Sequence, residues 1–292
     1  MSEPTTQRVP CNGVELRVHE WAPAGAPLAV AILLHGFQDQ GRSFDAVAPA
    51  LAEAGLRVVA PDLRGFGDSA RAPAGAYYHF PDYVFDLAEL ADRVSPGAPI
   101  FLVGHSMGGT IASLFAGAFP ERVALLALLE GLGPPSMPDE VSPDRFRSWV
   151  TGVRDARARG ERTMSLDEAV RRLGANHPRV DPDVVRLRAE QLTRPAPGDL
   201  ERRVWSFDPL HRTTSPFGFS AERWKAHARR ITAPTLVVGG GPEGFHPDDE
   251  AERVAAIAGA KVVELPGAGH MMHWTRPREL AALLVGHLRD NA

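Results

Sequence analysis

Short, nearly continuous apolar runs punctuate the chain at Ala29–Leu34, 57–60, 100–103 and Val123–Leu129. Runs of this kind suit parallel strands covered on both faces, where no side chain needs to meet water. Alternation appears near the start, at Val14, Leu16 and Val18, and predicts an antiparallel strand with one wet face. Between the runs, helical stretches are expected over 43–54, 81–94 and 107–119, with Ser43 and Asp82 as candidate caps of the first two. Strand and helix therefore alternate, and the fold class read from the pattern is α/β with a mostly parallel, doubly wound sheet.

After Glu130 the rhythm stops. Residues 131–230 are rich in Arg and Pro, with helical pieces and no convincing strand, and they carry 19 basic against 14 acidic side chains. The rest of the chain is acidic by nine charges, so the composition shift marks an insertion. The α/β pattern resumes with strands over 235–238 and 261–265 and helices over 248–258 and 277–288. The expected organisation is an α/β core formed by 1–130 and 231–292, interrupted by a helical cap at 131–230.

Composition narrows the class. The chain has 292 residues, a net charge of −4, and basic side chains that are 30 arginines and two lysines, Lys225 and Lys261. No lysine-rich tail speaks for nucleic acid. The first ten residues show no basic stretch followed by an apolar core. No aliphatic run in the first half approaches the roughly 20 residues of a membrane span, so a cytoplasmic protein without membrane insertion is expected. The single cysteine, Cys11, excludes an internal disulfide and a cysteine metal cluster, and it reads as a small buried or edge residue.

The sharpest chemical signal runs from Ile100 to Gly109, where an apolar strand meets Gly104-His105-Ser106-Met107-Gly108-Gly109 and opens an apolar helix. A serine at such a turn is strained and lifted above the sheet edge, and the glycines at 104 and 108 keep side chains out of a crowded crossing. A serine hydroxyl needs a base to activate it, and the base needs a third group to fix its tautomer. Of eleven histidines, His270 stands out, in a glycine-rich loop after the last expected strand, the face on which open α/β sheets build their sites. His273 reads as the start of the last helical approach. A metal pair with His270 lacks a third ligand nearby in sequence.

Two glutamates compete for the third role. Glu130 ends an apolar strand, where a carboxylate is costly unless paired. Glu243 lies in the loop after the strand at 235–238. Both are kept, with Glu130 preferred because it projects directly from a strand end. Asp248 is a third choice, though Pro247-Asp248-Asp249-Glu250 resembles a helix start. The loop His35-Gly36-Phe37 follows an apolar strand, so the Phe37 and Met107 amides are the candidate oxyanion donors.

These motifs, HGF at 35–37, PDLRGFGDS at 61–69, GHSMGG at 104–109 and GAGH at 267–270, stand in the order found in the α/β-hydrolase superfamily, and the resemblance covers about residues 14–288. The cap resembles that of the branch containing haloalkane dehalogenases and epoxide hydrolases, some of whose dehalogenases place a catalytic glutamate where Glu130 stands. The resemblance implies a scaffold role for Asp62, Arg64 and Asp68. It also exposes departures. That branch uses an aspartate nucleophile where this chain has Ser106. Its epoxide-opening members use cap tyrosines, whereas Tyr77, Tyr78 and Tyr83 all precede the cap. Plant-type hydroxynitrile lyases have a lysine after the histidine, here Met271, and ring-cleavage hydrolases have GNSMGG where this chain has His105.

The expected function is a cofactor-free serine hydrolase of esters or related acyl substrates, working through Ser106, His270 and a glutamate, with a small acyl molecule as its partner. C–C bond hydrolysis or perhydrolysis on the same residues is an alternative, and a non-catalytic ligand receptor is an alternative of another class. Cap aromatics such as Phe146, Trp149, Trp205, Phe207 and Trp224 are candidates for a pocket lining or, more often for such spacing, core.

Overall fold

A computed structural model describes residues 3–291; Met1 and Ser2, the start of the stretch read for a leader pattern, and Ala292 lie outside it. The chain runs β1 (Thr5–Cys11), β2 (Val14–Trp21), β3 (Ala29–Leu34), α1 (Ala48–Glu53), β4 (Leu56–Pro61), α2 (Phe80–Val94), β5 (Ile100–His105), α3 (Met107–Ala118) and β6 (Val123–Leu129). Between β6 and the next long strand lie α4 (Ser142–Arg159), α5 (Leu166–Asn176), α6 (Pro182–Gln191), β7 (Thr193–Ala196), β8 (Asp199–Trp205) and α7 (Ala221–Ala228). The core closes with β9 (Thr235–Gly239), α8 (Glu250–Ala255), β10 (Lys261–Glu264), α9 (Met272–Thr275) and α10 (Pro277–Asp290).

Eight strands form one sheet in the order β1-β2-β4-β3-β5-β6-β9-β10. β1 and β2 pair antiparallel with their neighbours and the rest run parallel. The apolar runs are buried on both sides, as parallel strands require. Along β3, Ile32 and Leu34 face a core with α2 and α3 side chains such as Leu87, Ile111 and Phe115. Ala31 and Leu33 face the opposite core with Leu51 of α1 and Leu280 and Leu284 of α10.

Three expectations need correction. The segment between β6 and β9 is not all helical, because β7 and β8 pair antiparallel around a turn with Gly198 at φ +79°. Charged and exposed positions on β8 hide the alternation that would have announced it. The helix expected over 43–54 is a 3-10 turn at Gly41–Phe44 followed by α1. Pro49 sits in the first turn of α1, where its missing N–H costs nothing, and would break a helix begun at 43. Ser43 caps nothing and instead donates its hydroxyl to Asp39, and Asp82 is not the cap but the third residue of α2, whose carboxylate accepts the N–H of His79 at the cap position. β1 escaped the sequence pattern because only Val9 and Cys11 of its seven residues are buried. Pro10 lies on this edge strand, the one place in a sheet that tolerates it.

No helix among the described residues is long and apolar enough to cross a membrane. Cys11 is buried on the edge strand, and burial pushes its thiol up to about 12, so it stays a neutral packing group.

Candidate active site

Ser106 sits between β5 and α3 with φ 51° and ψ −114°, a conformation that non-glycine residues rarely adopt. Backbone crowding makes the flanking glycines obligatory. A Cβ on Gly104 would lie 2.4 Å from the Gly108 carbonyl oxygen, and one on Gly108 would lie 2.3 Å from that of Leu34. The Ser106 amide donates to the Leu129 carbonyl at 2.9 Å, which ties the turn to β6.

His270 reaches this turn from 164 residues away, with Nε2 3.1 Å from the Ser106 Oγ. Its Nδ1 lies 3.3 Å from Glu130 Oε2. Glu130, at φ 50°, follows β6 and is nearly fully buried. Burial alone would raise its carboxyl, but hydrogen bonds from His270 and from the Phe245 and Gly240 amides hold it below the usual carboxylate range. A carboxylate that only accepts fixes the proton on His270 Nδ1 and leaves Nε2 bare toward the hydroxyl. The arrangement can take a proton from Ser106.

Glu243 is not part of this chain of contacts. Its side chain is exposed, and among the described residues it makes no hydrogen bond to His270. The loop that carries it contributes through Gly240 and Phe245 instead, by donating backbone N–H groups to Glu130. Asp248 is exposed in the turn before α8.

The 35–37 loop lies against the serine, because a Cβ on Gly36 would come within 3.2 Å of Ser106 Cβ. His35 staples that loop, donating from Nδ1 to the Gly36 carbonyl at 2.7 Å and accepting the Leu63 amide on Nε2 at 2.9 Å. Burial, above all, lowers its pKa and keeps it neutral for this double role. The Phe37 amide has no partner in the intramolecular backbone hydrogen bonds of the described residues. Met107 opens α3, where first-turn amides have no carbonyl to bond. Both amides are thus free for a ligand oxygen.

Sequence reasoning missed the buried cluster beneath His270. His273 Nε2 lies 3.0 Å from Asp39 Oδ2, and Asp39 also accepts the Gln40 amide and the Ser43 hydroxyl. His105 Nε2 lies 2.7 Å from the His270 carbonyl. Asp39, His105 and His273 offer ligand atoms within 4.8 Å of one another, a grouping that could hold a cation, but hydrogen bonds occupy Asp39 and one nitrogen of each ring. The three-residue spacing of His270 and His273 was the one visible signal.

The loop from Asp62 to Ser69 is scaffold. Asp62 is buried and accepts the Gly41 and Asp68 amides, each at 2.8 Å, and Arg64 pairs with buried Asp86. The Tyr78 hydroxyl is held by Asp208 and that of Tyr77 by Thr213. Trp224 and Phe207 are core, with the Trp224 indole N–H on Ser113 at 2.7 Å, while Phe146 is exposed. A recess of about 250 Å³ bordered by Cys11, Asn12, Glu89 and Arg93 contains none of the candidate residues.

Comparison with known proteins identifies the family. The alpha/beta hydrolase fold family matches residues 30–277, and the chain belongs to that family. It is 30% identical to Epoxide hydrolase A of Mycobacterium tuberculosis over 99% of this chain and 98% of that one. It is 32% identical to a serine hydrolase-like protein of Danio rerio, covering 65% of this chain and 59% of that relative's length. A crystal structure of a hypothetical protein from Pseudomonas aeruginosa superposes with a TM-score of 0.84 at 27% identity, over 99% of this chain and all of that one. The protein is a hydrolase of the α/β fold.

Proposed function

We propose that the chain is a serine hydrolase that cleaves carboxylic esters or related acyl compounds through Ser106, His270 and Glu130. Ser106 Oγ attacks the acyl carbon as His270 Nε2 takes its proton, and the Phe37 and Met107 amides receive the oxyanion. Collapse expels the alcohol, which takes that proton from His270. Water, deprotonated by the same nitrogen, then releases the carboxylic acid and restores the serine. Glu130 stays ionised and stabilises the imidazolium. No cofactor is needed for these steps. The observation that carries the reading is the continuous path from Ser106 Oγ through His270 to a buried, amide-bound carboxylate, at 3.1 and 3.3 Å.

The mycobacterial relative's name raises epoxide opening. A serine attacking an epoxide carbon would leave an ether, with no carbonyl for water to attack, and turnover would stop after one event. A carboxylate nucleophile leaves a hydrolysable ester, and this chain has none at position 106. The Tyr77 and Tyr78 hydroxyls, which would have to donate to an epoxide oxygen, are bonded to Thr213 and Asp208.

The test is a panel of p-nitrophenyl esters of graded chain length, with styrene oxide alongside. Turnover of esters that falls by about 10⁶-fold in Ser106→Ala supports the reading. Unchanged ester turnover in that variant, or catalytic turnover of the epoxide alone, overturns it.

A further inference from the structure

His105 touches three of the backbone segments that build the site, and no step above uses it. It is the last residue of β5 and is followed by Ser106. Its Nε2 lies 2.7 Å from the carbonyl oxygen of His270. Its Nδ1 faces the 35–37 loop, where a Cβ on Gly36 would come within 2.7 Å of it.

We propose that His105 is a positioning residue, whose Nε2–H···O=C bond to His270 ties the loop bearing the base to the turn bearing the nucleophile. The inference rests on the serine-hydrolase reading and adds a residue to it.

The tautomer follows from the partner. A carbonyl oxygen can only accept, so the proton is on Nε2 and Nδ1 is bare. Among the described residues Nδ1 is buried without a hydrogen-bond partner. That orphan nitrogen costs free energy which an apolar side chain of similar size would avoid, so the ring is not explained by packing. Among the described residues the Nε2 bond is the one hydrogen bond the ring makes. Burial first, then the neighbouring His273 and His270 rings at 4.4 and 4.9 Å, holds His105 well below its ordinary pKa, so the donating tautomer persists.

The base loop is held at successive points. The Gly269 amide donates to the Gly240 carbonyl at 2.9 Å, the His270 carbonyl accepts from His105, and His273 donates to Asp39 at 3.0 Å. Of the three anchors, His105 is the one covalently adjacent to Ser106. A shift of about 1 Å between base and nucleophile is enough to cost about 10²-fold in rate.

The test compares His105→Gln, His105→Asn and His105→Leu on a p-nitrophenyl ester. A Gln amide nitrogen reaches about as far as imidazole Nε2, whereas an Asn amide stops near the position of Nδ1. Gln is expected to keep kcat within about threefold, while Asn and Leu lose about 10- to 10²-fold with KM little changed. In a His270→Ala background, adding His105→Leu is expected to leave the residual rate as it is, because the group through which His105 acts is gone. Wild-type kcat in Leu and Asn, an Asn variant as active as Gln, or a further loss of the same size on top of His270→Ala overturns the proposal. Where Leu does not fold, the two amides decide alone. Wild-type rates in Ser106→Ala and His270→Ala would overturn the serine-hydrolase reading itself; losses there with none at position 105 would overturn this inference only.

Discussion

The carboxylate of Glu130 accepts the backbone N–H of Gly240, so the residue that follows β6 is bonded to the loop that follows β9. Of the two glutamates kept open in the sequence, with Glu130 preferred, Glu130 is the one within hydrogen-bond reach of His270. The loop after β9 supplies backbone donors rather than a side chain, and the acid it supports comes from the neighbouring strand. Because the same carboxylate meets His270, support for the acid is also support for the imidazole.

Replacing that carboxylate is expected to matter far more than replacing its neighbour. Glu130→Gln should lower kcat by about 10²- to 10⁴-fold, since the amide can present an N–H to Nδ1 and favour the wrong tautomer. Glu243→Gln should stay within about twofold, as an exposed side chain with no bond to the base. Steady-state kinetics of both variants on one ester checks this, and the reverse ranking would contradict the placement of the acid.

Gly36→Ala should damage catalysis through the loop that bears the Phe37 amide. The new Cβ would meet the His105 Nδ1 at 2.7 Å and Ser106 Cβ at 3.2 Å, so the loop must move. Losing one oxyanion donor costs about 10²- to 10³-fold in kcat. Measured kcat/KM with a circular dichroism control separates this from misfolding, and a variant of wild-type rate would contradict it.

Acid should destabilise the fold through histidines held neutral. Burial pushes His211 down to about 3 and lowers His35, His105 and His273 from their ordinary value. In each the folded pKa lies below the unfolded value of about 6.5, so beneath that pH the unfolded chain binds more protons. The stability is therefore present above about pH 6.5 and is lost as pH falls toward the folded values, by up to about 1.4 kcal/mol per pH unit for each group. His211 stacks on Phe66 at 4.0 Å, so His211→Phe keeps an aromatic ring there and should flatten the decline. Thermal melts between about pH 7 and about pH 4.5 test the sign, and parallel curves for the two proteins would contradict it.

Arg253 is wholly buried and donates from Nη1 to the carbonyls of Leu132, Gly133 and Pro134, while its Nε meets Asp249 at 2.8 Å. It clamps the segment that follows Glu130. Arg253→Met should cost about 3 kcal/mol or more, because two buried acceptors and one partly buried acceptor lose their donor and a carboxylate its partner. Urea titration reads this, and an unchanged midpoint would contradict it.

Much of the site was legible because its local signals are chemical and short. Gly104-His105-Ser106-Met107-Gly108 names its own turn, and the crowding at Gly104 and Gly108 shows why those residue types stand there. The sequence supports a preference for Glu130, which projects from a strand end, but not a decision, because Glu130 and Glu243 both follow strands that neighbour each other in the sheet. The contact with His270, the burial of Glu130 and the backbone donors from Gly240 and Phe245 distinguish them in the structure. The Asp39, His105 and His273 cluster joins residues up to 234 positions apart, and no spacing rule announces it. Likewise the β7–β8 hairpin hides behind exposed charges on β8, and β1 buries too little to alternate.

The most direct measurement is covalent labelling of the protein by a fluorophosphonate, read by intact mass and peptide mapping. One adduct on Ser106, with a labelling rate that collapses in His270→Ala, is the predicted result. No adduct, or an adduct that forms at the same rate without His270, would contradict the account.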